Sequence, residues 1–162
     1  MLPEAKGYRL PTEAEWEFAA RGFRTAQGQT AGGGIVRFAN GHDTADAAAM
    51  NFRADSIFKK AYSITGLFRQ KTIPVGAISP DALGFYQMSG NVFEWCQDWY
   101  TERACNDSGK NMNPKGPEKG HTKVTRGGYW YSQAAFCRTT YRFDWVPNTR
   151  CALIGFRVAR SK

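Results

Sequence analysis

Cysteine, whose thiolate binds soft metals and whose thiol forms disulfides, occurs four times in the sequence. The positions are Cys96, Cys105, Cys137 and Cys151. Their spacing contains no CxxC pair, and this argues against a zinc site. An even number permits two disulfides, although a chain of 162 residues buries enough surface to fold without them. The cysteines alone leave the redox compartment open.

Glutamates that could act as general acids or bases are concentrated in residues 7–22, which read GYRLPTEAEWEFAARG. Thr12 and Glu15 have the spacing of a capping box, so we predict a helix that starts there and stops at Gly22. Trp16 would lie on the apolar face of this helix. We interpret its three glutamates as capping and surface charges rather than catalytic groups: Glu13, Glu15 and Glu17.

A glycine-rich stretch of the kind that can bind phosphate occupies residues 28–34, GQTAGGG. It lacks the Gly-Lys-Ser/Thr ending of a phosphate loop, and it precedes a predicted short strand at residues 35–38 rather than a helix. We therefore predict a hairpin or a loop tip.

Aromatic and arginine side chains are concentrated in residues 124–159, the C-terminal segment. The rings and arginines between Gly128 and Gly155 are Tyr129, Trp130, Tyr131, Phe136, Arg138, Tyr141, Arg142, Phe143, Trp145 and Arg150. Their spacing has neither the period of a strand nor that of a helix, so it does not predict one buried face. Rigid rings among arginines and small polar residues are typical of a binding surface. For any single ring, the alternative is a place in the core of a loop-rich domain.

The elements that must position this segment are short. Three strands are predicted, at residues 91–99, 122–126 and 154–158. Trp95 and Trp99 of the first strand are expected to anchor the core beneath the C-terminal segment. Because Pro74 cannot donate to a central ladder, residues 72–76 form either an edge strand or an extended crossing. The polar, glycine- and proline-containing sequence of residues 106–121 predicts an exposed loop.

The composition, with 42% hydrophobic residues, 14% aromatic residues and 17 glycines, predicts one folded domain with many turns. The net charge of +8 is scattered along the chain. We interpret it as a solvated surface, or as attraction to an acidic partner or a membrane surface, rather than as a nucleic-acid site. No apolar run approaches the ~18 residues of a membrane helix, and residues 1–6 carry no targeting signal.

Sequence signatures that are specific in combination are YRLPTEAEWE at residues 8–17, GNVFEW at 90–95, RGG at 126–128 and GFR at 155–157. In this order they resemble the formylglycine-generating-enzyme (sulfatase-modifying factor) domain. The resemblance implies an α+β, C-type-lectin-like fold with short twisted strands, one or two helices and a high loop content. We expect a single such domain over residues 1–162, with the C-terminal segment displayed on one face. The family normally has a further N-terminal portion, which implies a reduced domain or a part of a longer protein.

The resemblance also implies where an oxidase site would lie. The oxidase members use two cysteines after the RGG sequence to bind copper and the substrate cysteine. Here Cys137 corresponds to the second cysteine, but Ser132 stands at the first position, and a hydroxyl cannot replace the soft thiolate that copper(I) requires. With only His42 and His121, the chain also lacks the three histidines of the related sulfoxide synthases. We therefore predict no enzymatic activity. The alternative is a cysteine-oxidising copper oxidase.

Within this family, the C-terminal segment resembles that of the variable proteins of diversity-generating retroelements. The resemblance implies a non-enzymatic ligand- or receptor-binding protein at the cell surface or secreted, with a protein or cell-surface ligand and no cofactor. We expect Cys137 to be a buried structural residue and Arg138 to fix a loop by hydrogen bonds to carbonyl groups. Trp145 cannot arise directly from a mutated asparagine codon, so its status stays open. The expected contact residues are Tyr129, Tyr131, Ser132, Phe136, Tyr141, Phe143, Asp144, Trp145, Cys151, Ala152 and Leu153.

Calcium is the one cofactor that the resemblance leaves open. One site would use the side chains of Gln87 and Glu94 with main-chain oxygens between them, although Gln87 is a neutral and longer ligand than the usual one. A second site would begin at Asn51 but lacks its acidic partner near Leu67. The alternative is that Glu94 is a hydrogen-bonded strand carboxylate.

Overall fold

The computed structural model describes residues 7–22, 36–102 and 114–160. The glycine-rich stretch at 28–34, the first half of the predicted loop at 106–121 and Cys105 lie outside the described residues.

The predicted helix is present as α1, Glu13–Arg21. Its capping box is confirmed, since the Glu15 amide donates to Thr12 Oγ1 at 3.2 Å and the Thr12 amide donates to Glu15 Oε2 at 2.8 Å. The helix ends at Gly22, whose φ of 78° suits glycine. Trp16 is buried on the inner face, as predicted.

The strands form two sheets. Within the described residues they are β1 Tyr8–Arg9, β2 Phe93–Trp99, β3 Lys123–Arg126, β4 Arg142–Trp145, β5 Ile154–Gly155 and β6 Ala159–Arg160. The larger sheet has the order β4-β3-β2-β5, with antiparallel pairs except for parallel β2 and β5, and β1 pairs with β6 in the smaller one. The strands predicted at 91–99 and 122–126 are confirmed as β2 and β3.

Other strand predictions need correction. Residues 36–38 are not a strand. Of the two alternatives for residues 72–76, the edge strand is not formed, and a 3-10 turn follows at Val75–Ala77. The strand predicted at residues 154–158 is only Ile154–Gly155, because only these two residues pair with β2. β4 was not predicted, because four residues with rings on one face and charges on the other give too short a pattern to recognise.

The core consists of two clusters of mostly small and aliphatic side chains. The first holds Phe38, Ala45, Ala47, Met50, Phe52, Ala54, Ala134 and Cys137, and the second holds Trp16, Ala20, Ala39, Met88, Cys96 and Val124. Trp95 and Trp99 belong to neither and are half-buried, so the prediction that they anchor the core is wrong. The buried face of β2 carries Cys96, because α1 packs on that side.

Arg126, the last residue of β3, is fully buried and joins α1 to the C-terminal segment. It donates hydrogen bonds to the Glu17 carboxylate and to the carbonyls of Thr139 and Tyr141, and its Nε lies 3.5 Å from Glu13 Oε1. The interpretation of Glu13 and Glu17 as capping and surface charges was therefore wrong. Both are partners of the buried arginine.

We predict that Arg126→Met lowers the free energy of unfolding by about 3 kcal/mol, because it leaves the Thr139 and Tyr141 carbonyls without the side chain that donates to them and removes one cationic partner of Glu17. Urea unfolding followed by fluorescence measures this change. The control Arg160→Met removes an exposed arginine of β6 and should cost less than about 1 kcal/mol. Equal effects of the two substitutions would contradict the role given to Arg126.

Candidate binding surface

The chain enters the C-terminal segment through a turn that only glycine fits. Gly127 and Gly128 have φ values of 94° and 75°. A Cβ on Gly128 would lie 2.6 Å from Cys137 Sγ and 2.9 Å from the Phe136 carbonyl oxygen. The backbone therefore crosses directly over the buried thiol, and the rings that follow are held at the edge of the core rather than inside it.

The rings of this segment pack on one another in a continuous set, which we call the aromatic array. Its members are Phe68, Phe93, Tyr129, Trp130, Tyr131, Phe136, Tyr141, Phe143 and Trp145. Phe93 is the only buried member; it stacks on Phe143 with centroids 5.3 Å apart and lies 5.4 Å from Tyr129. Neighbouring rings thus fix each other's rotamers on one buried anchor.

Exposure distinguishes a surface array from a core. Tyr131, Phe136 and Phe143 are 44%, 37% and 36% exposed, and the other rings that the C-terminal segment gives to the array are half-buried. None of these rings belongs to either core cluster. The alternative that they form the core of the domain is therefore wrong.

β4 separates the rings from the charges of its own sequence. Phe143 and Trp145 have centroids 5.7 Å apart on one face, while Arg142 pairs with Glu13 of α1 at 2.6 Å on the other. By the strand period of two, Asp144 lies on the face of Arg142. Asp144 was expected among the contact residues, and its position opposite the rings corrects that expectation.

Ser132 is a second expected contact residue whose position in the structure corrects the prediction. It is 2% exposed, and its hydroxyl accepts a hydrogen bond from the Tyr129 amide at 3.0 Å. Its carbonyl accepts from the Arg53 amide at 2.9 Å. Because both groups are used inside the protein, Ser132 supports the loop and does not face a ligand.

The last three expected contact residues form the loop before β5. Cys151 and Ala152 are exposed, and Leu153 is half-buried. The Leu153 carbonyl accepts from the Phe93 amide at 2.8 Å, which fixes this loop to the start of β2. Cys151 is a free thiol.

Cys137 is enclosed in the first core cluster and fully buried, as expected for a structural thiol. Burial raises its pKa well above the ordinary value of a thiol. Burial also raises the pKa of the Tyr129 and Tyr141 phenols. These groups are therefore neutral near pH 7, and the thiolate that a soft metal needs is disfavoured. Arg138 donates to the Ala135 carbonyl at 2.9 Å, the loop-fixing role expected for it.

Two residues of this surface could not be found from the sequence. Phe68 lies 5.4 Å from Tyr131, and the guanidinium of Arg53 lies over the rings of Phe58, Tyr131 and Phe68 at 4.3, 4.7 and 5.5 Å. They come from a stretch without clean periodicity that is distant in sequence from the C-terminal segment. No local pattern links the two.

The predicted calcium site is occupied by side-chain donors. Glu94 accepts from Arg157 Nε and Nη2 at 2.6 Å each, and from Trp16 Nε1 at 2.6 Å. Both polar atoms of the Gln87 side chain are buried without a hydrogen-bond partner in the described part of the chain. Glu94 is therefore the hydrogen-bonded strand carboxylate of the alternative interpretation, and this set does not fit calcium.

At the second calcium position, which would begin at Asn51, an arginine binds the carbonyl groups that precede it in the chain. Arg69 donates to the carbonyls of Ala47 and Met50 at 2.8 and 3.4 Å, and the Asn51 amide donates to the Lys71 carbonyl at 3.0 Å. Among residues 7–22, 36–102 and 114–160, no group of three His, Cys, Asp or Glu side chains could hold a metal ion.

We predict that neither EDTA nor millimolar calcium changes the melting temperature, because the Arg157 guanidinium occupies the Glu94 carboxylate that calcium would use. Differential scanning calorimetry of the whole chain tests this. Arg157→Gln should destabilise the protein by about 2 kcal/mol, since Glu94 keeps only its Trp16 donor. A rise of several degrees with calcium in the unaltered protein would contradict the assignment.

Comparison with known proteins adds three relations. A family model described as the sulfatase-modifying factor enzyme 1-like domain matches residues 3–162. The formylglycine-generating enzyme of Thermomonospora curvata is 34% identical over 158 residues, which cover 94% of this chain and 49% of that protein. The serine/threonine-protein kinase pkn1 of Chlamydia pneumoniae is 35% identical over 156 residues, 96% of this chain and 21% of that protein.

Among solved structures, Treponema denticola variable protein 1 matches with a TM-score of 0.71 and 31% identity, over 96% of this chain and 48% of that one. The chain therefore spans half or less of the length of these proteins. The resemblance to a variable protein and the α+β fold of the formylglycine-generating-enzyme type are confirmed. In the described residues, no helix is long and apolar enough to cross a membrane.

Proposed function

Because the chain belongs to the family of sulfatase-modifying factor enzyme 1-like domains, we propose that it is a non-enzymatic ligand- or receptor-binding protein. Its residues 1–162 act as one C-type-lectin-like domain, and residues 124–159 are its display segment. The family includes an enzyme and a variable protein among its relatives, so membership alone does not decide the function. The observation that carries the proposal is the solvent-facing aromatic array.

The array suits recognition because its rings are already ordered. Each ring contacts a neighbour, and Phe93 holds the set on β2. Little rotamer entropy is then lost when a ligand covers the rings, and their apolar area contributes to affinity. The proposed contact residues are Tyr129, Tyr131, Phe136, Tyr141, Phe143, Trp145, Cys151, Ala152 and Leu153.

The residues at the oxidase position support a function without catalysis. Ser132 supplies a buried hydroxyl where the family's oxidases have a thiol, and that hydroxyl already accepts the Tyr129 amide. Cys137 is buried in an apolar cluster that favours the protonated thiol. Copper(I) would need two accessible thiolates at this place.

The partner is proposed to be a protein or a cell-surface ligand, met at the cell surface or outside the cell. Nucleic acid is a poorer match, since Arg126, Arg142 and Arg157 are engaged with internal carboxylates. Their charge is thus unavailable to phosphates.

We predict that replacing Tyr131 and Phe136 by serine weakens binding at least about tenfold, because exposed rings at the centre of an interface carry much of its energy. The probe is a random dodecapeptide library displayed on phage and selected on the immobilised protein. Selected peptides are then synthesised and titrated by calorimetry. The melting temperature should change by only a few degrees.

The matched control is Phe156→Ser, which removes a ring that is 68% exposed but lies outside the array. It should leave the affinity for the selected peptides unchanged. Equal losses with Phe156→Ser, or no peptide enriched on the unaltered protein, would contradict the proposed function.

We further predict that the protein neither consumes oxygen with a cysteine-containing peptide nor competes with a copper(I) chelator through Cys137. Cys151→Ser removes a thiol that is exposed in the described part of the chain and could otherwise bind copper non-specifically. Ser132→Cys should raise copper(I) affinity by supplying the missing sulfur. Oxygen consumption that is abolished by Cys137→Ser would establish the oxidase alternative instead.

A further inference from the structure

The aromatic array continues beyond the C-terminal segment into residues 53–71, which we call the basic loop. Phe68 joins the loop to the array, 5.4 Å from Tyr131 and 6.4 Å from Trp130. The loop has one acidic residue, Asp55, and its basic residues are Arg53, Lys59, Lys60, Arg69 and Lys71. Its most exposed apolar side chains are Ile57, Leu67 and Ile64, at 72%, 66% and 51%.

Arg53 is the fixed point of this loop. Its amide donates to the Ser132 carbonyl at 2.9 Å, and its Nε donates to Asp55 Oδ2 at 2.7 Å. The rings of Phe58, Tyr131 and Phe68 surround its guanidinium within 5.5 Å. The plane of the guanidinium is therefore held before any ligand arrives.

The terminal nitrogens of Arg53 are available to a ligand. In the part of the chain that the structure describes, Arg53 donates only through its backbone amide and Nε, and its side chain is 15% exposed. The guanidiniums of Arg126, Arg142 and Arg157 instead donate through Nη atoms to internal carboxylates and carbonyls. Arg53 thus keeps a planar pair of donors in a ring-lined recess next to the array.

We propose that Arg53 and its ring frame form a carboxylate-binding subsite of the same surface, and that the ligand is an acidic protein segment. This inference rests on the proposed binding function. An Asp or Glu side chain of the ligand would accept from the Arg53 terminal nitrogens, and an apolar neighbour would cover Tyr131 and Phe68. A planar guanidinium matches the two oxygens of a carboxylate, and surrounding rings exclude water from the pair.

The charge of the loop favours the same partner. Lys59, Lys60 and Lys71 are exposed in the same loop, so a segment with several acidic side chains is attracted and a basic one is repelled. A membrane surface with anionic lipids would also match exposed lysines and isoleucines. It would not need a recessed guanidinium that rings hold in one orientation, and this favours the protein segment.

To test this, the random dodecapeptide phage library is selected on the immobilised whole chain, and the selected peptides are synthesised and titrated by calorimetry. We expect Asp or Glu beside an aromatic or aliphatic residue in the selected peptides. Arg53→Gln should weaken these peptides at least about tenfold, and Arg53→Lys should do so to a smaller extent. Replacing the acidic residue of the peptide by its amide should give the same loss, with no additional loss when both changes are combined.

The matched control is Arg160→Gln, which removes the same charge from an arginine that lies over Tyr8 at 5.4 Å in the smaller sheet. It should bind the peptides as the unaltered protein does. Should Arg53→Gln fail to fold, Arg53→Lys carries the test, since it keeps the charge and loses the planar fork.

Each other outcome overturns the inference in a distinguishable way. If the selected peptides bind through Tyr131 and Phe136 but lack acidic residues, the proposed binding function is supported and the carboxylate subsite is disproved. The same conclusion holds if the peptides bind the Arg53→Gln variant as tightly as the unaltered protein. If no peptide is enriched, both the proposed binding function and the subsite are contradicted. Sedimentation of the protein with phosphatidylserine vesicles, undiminished by Arg53→Gln and by acidic peptides, assigns the basic loop to membranes instead.

Discussion

The buried guanidinium of Arg126 is the interaction on which the rest of the structure depends. It lies at the end of β3, where the larger sheet, α1 and the C-terminal segment meet. A buried charge must be paired and hydrogen-bonded, and here the acceptors are Glu17 and the carbonyls of Thr139 and Tyr141, with Glu13 as a second carboxylate beside Nε. The hydrogen bonds and ion pairs of Arg126 therefore fix the path of the chain after β3, and the rings of the C-terminal segment need not be buried to do so.

This arrangement explains how so many rings can lie at the surface of a stable protein. The two core clusters are filled by Trp16, two phenylalanines, and small or aliphatic side chains, of which the C-terminal segment supplies only Val124, Ala134 and Cys137. Gly127 and Gly128 bring the backbone against Trp16 and Cys137, where a side chain would collide. The space beneath the C-terminal segment is already full, so its rings can only pack sideways on one another.

Local features of this fold could be predicted from the sequence, and features made by distant contacts could not. The capping box of Thr12 and Glu15 and the strand β2 depend on neighbouring residues, and both were recognised. Which face of β2 is buried depends on where α1 packs, so Trp95 was misplaced. The roles of Glu94 and Ser132 depend on partners far along the chain, and only the structure shows that Arg157 binds the Glu94 carboxylate and that the Arg53 amide binds the Ser132 carbonyl.

The net charge of +8 acquires a different meaning once these partners are known. Arginines whose donors point inward, such as Arg126 and Arg157, are matched by carboxylates and contribute little to the outer potential. The excess of positive charge must then lie on side chains without such partners. In the basic loop, Asp55 pairs with Arg53, the loop sequence holds no acidic residue for the other four basic side chains, and the loop contacts the aromatic array through Phe68. Apolar rings and unmatched charge therefore meet at one edge of the surface, where a ligand could use both.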